Sequence, residues 1–152
     1  MKLILDGESL TIDQVYQVAH DHGLKIEVQI SKKCQKNLKK SDEFVNQLLS
    51  EGKIIYGINT GFGALSNVHI PNEKLKELQY NLIRSHCAGV GEPFSIPITR
   101  AIMLLRANCL IQGHSGVTPE IVQRILDFIN HGVHPVIPQK GSVGASGDLA
   151  PL

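Results

Sequence analysis

The sequence has no tryptophan, and phenylalanine and tyrosine together bring the aromatic share to only 5%. The size of any aromatic stacking platform is therefore limited. Charge of either sign is also nearly balanced, with a formal net charge of +1. That argues against a nucleic acid footprint, which needs a concentrated positive surface. The one basic cluster, Lys32, Lys33, Lys36, Lys39 and Lys40, puts 32, 36, 39 and 40 on one helix face, and a solvated face accounts for it. Cysteine is scarce too: Cys34, Cys87 and Cys109 are odd in number, widely spaced and contain no C-x-x-C pair. No disulfide framework or zinc ligand spacing is present. The opening stretch MKLILDGESL meets Asp6 and Glu8 before any apolar segment of a secretory signal can form. No apolar run approaches the length of a membrane span. These absences lead us to expect a reduced, cytoplasmic protein with no metal, no membrane and no nucleic acid partner.

What remains is an ordinary globular composition, 42% hydrophobic and 19% charged over 152 residues. A folded chain of that length buries roughly two-thirds of the surface exposed when unfolded, which is enough for a real core. No repeat, low-complexity tract or linker divides it. The chain stops at Pro151-Leu152, directly after a motif and without a polar tail, from which we expect a truncated piece of a longer protein.

Local patterns outline the elements. Residues 2 to 5 read as a short strand ended by the turn signal Asp6-Gly7. Thr11-Ile12-Asp13-Gln14 fits a capping box, with Ile12, Val15, Val18 and Ala19 on one face, and predicts a helix from about 12 to 21. Residues 25 to 30 alternate with period two, as in a half-buried strand. Ser31 to Ser50 is polar with helical propensity, and Ser41 marks a candidate break. Lys53 to Tyr56 is a short extended piece entering a glycine-rich loop. Asn72 is positioned to cap a helix carrying Leu75, Leu78 and Leu82 as far as about Ser85. Pro97 to about Gln112 is a second apolar helix. Thr118-Pro119 opens a third, with Ile121, Val122, Ile125, Leu126, Phe128 and Ile129 expected to be buried. Residues 1 to about 60 thus form a small α/β element, and about 61 to 152 begin a helical core.

Several segments could carry chemistry. Tyr56-Gly57-Ile58-Asn59-Thr60-Gly61-Phe62-Gly63 is dense in glycine, which lets backbone approach a ligand, but it contains neither a Walker loop nor a complete dinucleotide fingerprint. A bland turn is the alternative. Tyr56 could serve as an acid or base where its surroundings favour the phenolate. His86 beside Cys87 leaves open a nucleophilic pair and a capping or core histidine, and spacing alone does not decide between them. A metal site from His86, Cys87, His131 and His134 has no repeated ligand spacing behind it. His131 and His134 follow the third helix, where histidine opposes the negative end of the helix dipole.

The decisive segment is Gly141-Ser142-Val143-Gly144-Ala145-Ser146-Gly147-Asp148-Leu149-Ala150-Pro151-Leu152. Small residues at 144 to 147 permit a bend in which the Gly147 nitrogen approaches the Ala145 carbonyl carbon, and only glycine leaves that nitrogen sterically free. Ring closure with loss of two waters would turn Ser146 into an exocyclic methylene on an imidazolone, an electrophile that no unmodified side chain provides. Ala-Ser-Gly alone means nothing. The full twelve-residue string resembles the histidine ammonia-lyase family of the aromatic amino acid lyases. So do Tyr56-Gly-Ile-Asn-Thr-Gly-Phe-Gly63 and Ser85-His86-x-x-Gly-x-Gly, in the expected order and separation, so the resemblance spans essentially the whole chain.

The resemblance implies a specific chemistry. Ala145, Ser146 and Gly147 would cyclise autocatalytically to methylideneimidazolone, a protein-derived cofactor, with Asp148 supporting its formation. Tyr56 would remove the β proton of the substrate, and Asn59, in the loop facing the electrophile, is implied to bind substrate. L-Histidine would leave as urocanate and ammonia, a step of histidine catabolism. Relatives acting on phenylalanine or tyrosine tend to carry Phe-Leu or His-Leu where this chain has Ser85-His86, so His86, with Ser85, is implied to bind the substrate imidazole. Phenylalanine or tyrosine ammonia-lyase, or an aminomutase, is the alternative reading. The implied fold is mainly α: a small N-terminal α/β element leading into the helical bundle of the L-aspartase-like fold, here truncated. The family assembles as a homotetramer whose subunits complete one another's sites, so the fragment alone is expected to be inactive.

Overall fold

The structure is a computed structural model that describes residues 1–141 and the backbone of 143–144 and 147–148. In chain order the elements are β1 (Lys2–Leu5), α1 (Ile12–Ala19), β2 (Glu27–Ile30), α2 (Lys32–Ser50), α3 (Leu75–His86), β3 (Val90–Pro93), α4 (Ile96–Leu110), α5 (Pro119–Asn130), β4 (Pro138–Lys140), β5 (Val143–Gly144) and β6 (Gly147–Asp148). They group into two units, Met1–Gln47 with Phe94–Val136, and Leu48–Pro93 with Ile137–Leu152.

The first unit starts as a β-α-β crossover. The capping box forms as the sequence predicts: Gln14 N donates to Thr11 Oγ1 at 3.3 Å and Thr11 N to Gln14 Oε1 at 2.9 Å. Two orphan donors at the helix start are thereby satisfied. The crossover sets β1 parallel to β2, with Lys2 opposite Glu27 and Leu5 opposite Ile30. Alternation then buries Leu3, Leu5, Val28 and Ile30 and leaves Lys2, Ile4 and Glu27 outside. Against them pack Val18 of α1, Cys34 and Leu38 of α2, Met103, Leu104 and Ala107 of α4, Ile111 just beyond it, and Val122, Leu126 and Ile129 of α5. Removing these side chains from water is the main stabilising term, roughly 1.5–3 kcal/mol for each large one.

Several expectations need correction. α2 runs unbroken through Ser41, whose hydroxyl accepts from Gly116 N at 3.1 Å and so is held by a tertiary partner. α1 stops at Ala19 with His20 as its cap, two residues short of the predicted end. Asn72 does not cap a helix. It opens a single 3-10 turn, Asn72–Lys74, from which α3 continues. On α5 only Val122, Leu126 and Ile129 are fully buried. Ile121 and Phe128 are exposed, because one face of this helix meets the core.

Two polar residues join the first unit's elements. The Asn130 side chain accepts from Val28 N at 2.8 Å and donates to Val28 O at 3.0 Å, replacing the neighbouring strand that β2 lacks at that position. Arg100, 2% exposed, donates from Nε to Val18 O at 2.9 Å and from Nη1 to Ile129 O at 3.0 Å. Both carbonyls lie at helix C-termini, where a cation meets the negative end of the dipole. Nη1 also lies 3.2 Å from His134 Nε2.

The second unit is built differently. Its described residues bury a single large apolar side chain, Ile137, and two polar ones, Asn59 and Thr60. Leu75, Leu78 and Leu82 do share one face of α3, but each is only half-buried. Strands β3 and β4 pair antiparallel with an irregular register between Val90 and Pro93, and β5 pairs antiparallel with β6. None of these four strands is legible from alternation: β3 is exposed along its length, β4 has three residues, and β5 and β6 have two each.

Candidate functional site

The catalytic and substrate-binding candidates that the structure describes belong to the second unit, whereas His131 and His134 lie in the first. The loop after Lys53 is shaped by one buried side chain. Asn59 Oδ1 accepts from Ile55 N at 2.7 Å, and Asn59 Nδ2 donates to Lys53 O at 2.8 Å. Its own backbone closes the turn, with Asn59 N donating to Ile55 O at 3.2 Å and Asn59 O accepting from Ile70 N at 2.8 Å. Thr60 adds a second staple, accepting from Gly57 N at 3.2 Å and donating to Gly61 O at 2.8 Å. The glycines have a defined steric role. Gly57 has φ +77, and a Cβ on Gly61 would come within 2.6 Å of Leu65 Cβ and 2.7 Å of Leu65 O. Neither position accepts a side chain without moving the loop.

This frame presents Tyr56. Its side chain is outward, 63% exposed, with its ring edge-on to Phe62 at a centroid distance of 6.0 Å. Gly63 N approaches its hydroxyl oxygen at 3.5 Å, the outer limit of a hydrogen bond. The hydroxyl is therefore available to a ligand, and the residues on both sides of it are fixed.

Ser85 and His86 close α3. Ser85 Oγ lies 2.8 Å from Leu82 O and 2.9 Å from His86 Nδ1, and His86 Nδ1 lies 2.8 Å from Leu82 O. The partners of His86 Nδ1 are thus the helix end and Ser85, while Cys87 is exposed beyond the helix. His131 Nδ1 lies 2.7 Å from Asp127 O at the C-terminus of α5, the same carbonyl that accepts from His131 N at 2.9 Å. Among the described residues no three His, Cys, Asp or Glu side chains gather as a metal would require, and no helix is long and apolar enough to cross a membrane.

Of the motif from Ala145 to Asp148, Ala145 and Ser146 lie outside the described residues, and Gly147 and Asp148 are described as backbone only. In the β5–β6 ladder Val143 stands opposite Asp148 and Gly144 opposite Gly147. Glycine thus occupies both strand positions that flank the Ala-Ser pair, where a side chain would crowd a backbone closure.

Sequence reasoning missed Arg100 and Asn130. Each left a signal. Arg100 is one of only two charges, with Arg106, inside the apolar stretch Ile96–Leu110, and Asn130 ends a helix that lies beside a two-stranded sheet with a bare edge.

Comparison with known proteins adds a second line. A model of the family described as aromatic amino acid lyase matches residues 10–152. A histidine ammonia-lyase of Chloroflexus aurantiacus is 50% identical over 151 residues, which is 99% of this chain and 29% of that protein. The crystal structure of histidine ammonia-lyase from Trypanosoma cruzi superposes with a TM-score of 0.86 at 41% identity, covering 100% of this chain and 28% of that one. Tyrosine aminomutase from Streptomyces globisporus gives a TM-score of 0.87 at 36% identity, covering 94% and 27%. The chain spans under a third of the length of these relatives.

Proposed function

The chain belongs to the aromatic amino acid lyase family, and on that premise we propose that it is the N-terminal part of a histidine ammonia-lyase. The parent protein would eliminate ammonia from L-histidine without oxidation, giving urocanate. The observation that carries this reading is the 50% identity to a histidine ammonia-lyase across 99% of the chain. The pair Ser85-His86, ordered at the end of α3, supports it further.

The roles follow from what each group can do. Ala145, Ser146 and Gly147 would hold the electrophile as a ring made from their own backbone, and the Gly144–Gly147 pairing fits such a closure. Methylideneimidazolone supplies an electrophilic carbon that makes the substrate amine a competent leaving group. Tyr56, outward on a stapled loop, is suited to take the β proton through its hydroxyl oxygen. Asn59 serves the site by holding that loop, since its amide is occupied by Ile55 N and Lys53 O. Asp148 would support ring formation, and His86 would meet the substrate imidazole. The reaction needs no metal.

The exposed apolar side chains of the second unit, among them Ile54, Leu65, Val68, Tyr80 and Ile83, belong in this view against the remainder of the enzyme and its neighbours in a cytoplasmic homotetramer. A surface of that kind is a covered face in the assembled protein.

Ultraviolet assay of the parent protein against histidine, phenylalanine and tyrosine in parallel tests the reading. Urocanate from histidine is expected. Turnover of phenylalanine or tyrosine in its place, or return of the amine to the β carbon, would establish the alternative within the same family.

A further inference from the structure

The three atoms at the end of α3 determine which nitrogen of His86 carries hydrogen. Leu82 O lies 2.8 Å from both Ser85 Oγ and His86 Nδ1, and those two are 2.9 Å apart. A carbonyl oxygen only accepts, so each neighbour at that distance must bring it a hydrogen. Ser85 has one hydrogen and gives it to Leu82 O. His86 Nδ1 therefore has to be the N–H form, shared between Leu82 O and the free lone pairs of Ser85 Oγ. The opposite tautomer would set the Nδ1 lone pair against the carbonyl lone pairs at 2.8 Å and leave a close acceptor–acceptor contact. In the neutral ring Nε2 is then bare and can only accept.

We infer that Ser85 is a positioning residue that, with the Leu82 carbonyl, locks His86 in the tautomer whose Nε2 accepts. His86 would then recognise a substrate side chain by taking a hydrogen bond from a ring N–H. The ligand class this selects is a ring with a donor nitrogen, such as a neutral imidazole. A phenyl ring offers no donor and would leave Nε2 desolvated and unpaired, and unpaired buried groups give large discrimination. The substrate half of this inference rests on the ammonia-lyase reading, and the tautomer lock does not.

The lock is tested on the 152-residue chain labelled with 15N-histidine, His86→Gln identifying the signals of residue 86 by their loss. Long-range proton–nitrogen correlations should show Nδ1 protonated and Nε2 bare, with a larger share of the other tautomer in Ser85→Ala and the original state restored in Ser85→Thr, whose hydroxyl can reach the same carbonyl. A protonated, neutral-ring Nε2 in the unaltered chain overturns the lock. In the parent enzyme Ser85→Ala should raise KM for histidine roughly three- to tenfold, the worth of one hydrogen bond, with kcat less affected and Ser85→Thr rescuing the loss. Unchanged KM in Ser85→Ala overturns the positioning role. Histidines methylated at one or the other ring nitrogen should differ in KM, and His86→Leu should remove that difference; a difference surviving in His86→Leu overturns the acceptor assignment. Failure of the unaltered parent to turn over histidine would sink the ammonia-lyase reading and the substrate half with it, while the tautomer spectrum judges the lock independently.

Discussion

Replacing Arg100 by methionine tests whether a buried guanidinium holds the first unit together. The substitution keeps an unbranched apolar stem and removes every donor. It leaves Val18 O and Ile129 O without the guanidinium hydrogens they accept at 2.9 and 3.0 Å. Hydrogen bonds to charged groups contribute about 1.5–3 kcal/mol each, and without them the two carbonyls keep only long backbone donors, Asp21 N at 3.3 Å and Gly132 N at 3.4 Å. Against this, methionine relieves the desolvation of the cation, a penalty of several kcal/mol for a buried ion. Nη2 adds to that penalty, since it is buried without a partner among the described residues. Burial pushes the guanidinium pKa down and the Asp21 carboxylate pushes it back up, so the charge is only partly compensated. Balancing these terms, we expect a net loss of about 3 kcal/mol. For a chain of this size that is a fall of roughly 6–12 °C in Tm. Urea unfolding followed by far-ultraviolet circular dichroism gives the number, and Arg100→Lys, with one point charge in place of the fork, should fall between the two. A methionine variant within about 0.5 kcal/mol of the parent would show that the guanidinium does not bridge the two helix ends.

Other perturbations address separate links. His134 has its pKa lowered by burial first and by Arg100 second. Folding therefore favours the neutral ring, and the stability it contributes is fully present above the unfolded value of 6.5 and lost as pH falls through the lower folded value. A pH series of urea midpoints should show a decline below about 6.5 that His134→Gln abolishes, distinct from the loss at stronger acid where Asp6, held at about 2 by Ser9 and Glu8 backbone donors and the Ser9 hydroxyl, titrates. A decline that persists in the Gln variant would assign it elsewhere. Asn130→Leu strips Val28 N and O of their partners and should cost about 2–3 kcal/mol, with faster amide exchange at Val28; unchanged exchange there refutes the strand-edge role. Ser146→Ala in the parent enzyme should abolish urocanate formation, and retained turnover would refute the electrophile assigned to Ala145, Ser146 and Gly147. The unaltered 152-residue chain should produce no urocanate and should keep its full mass; a mass lower by two waters would show that this segment suffices for cyclisation.

Legibility in the sequence followed the range of the interaction that sets each feature. The capping box at Thr11 and the proline-started helices α4 and α5 depend on neighbours within four residues, so local pattern predicts them well. Ser41 looked like a break because its propensity is low, but a contact 75 residues away, with Gly116 N, decides its fate. Phe128 and Ile121 looked buried because composition does not say how many faces of α5 are covered. Arg100 and Asn130 make their bonds across 82 and 102 residues, to Val18 and Val28. No spacing rule reaches so far.

The candidate site divides along the same line. Asn59 reaches only as far as Lys53 and Ile55, Thr60 only to Gly57 and Gly61, and Ser85 and His86 only to Leu82. These side chains are positioned by bonds to backbone within six residues in a unit whose described residues bury only one large apolar side chain. A site held this way must keep its residue types and their spacing together, because moving any one by a single position breaks the bond that orients it. That is why Tyr56-Gly-Ile-Asn-Thr-Gly-Phe-Gly63 and Ser85-His86 survive as readable strings while the packing beneath α4 and α5 does not.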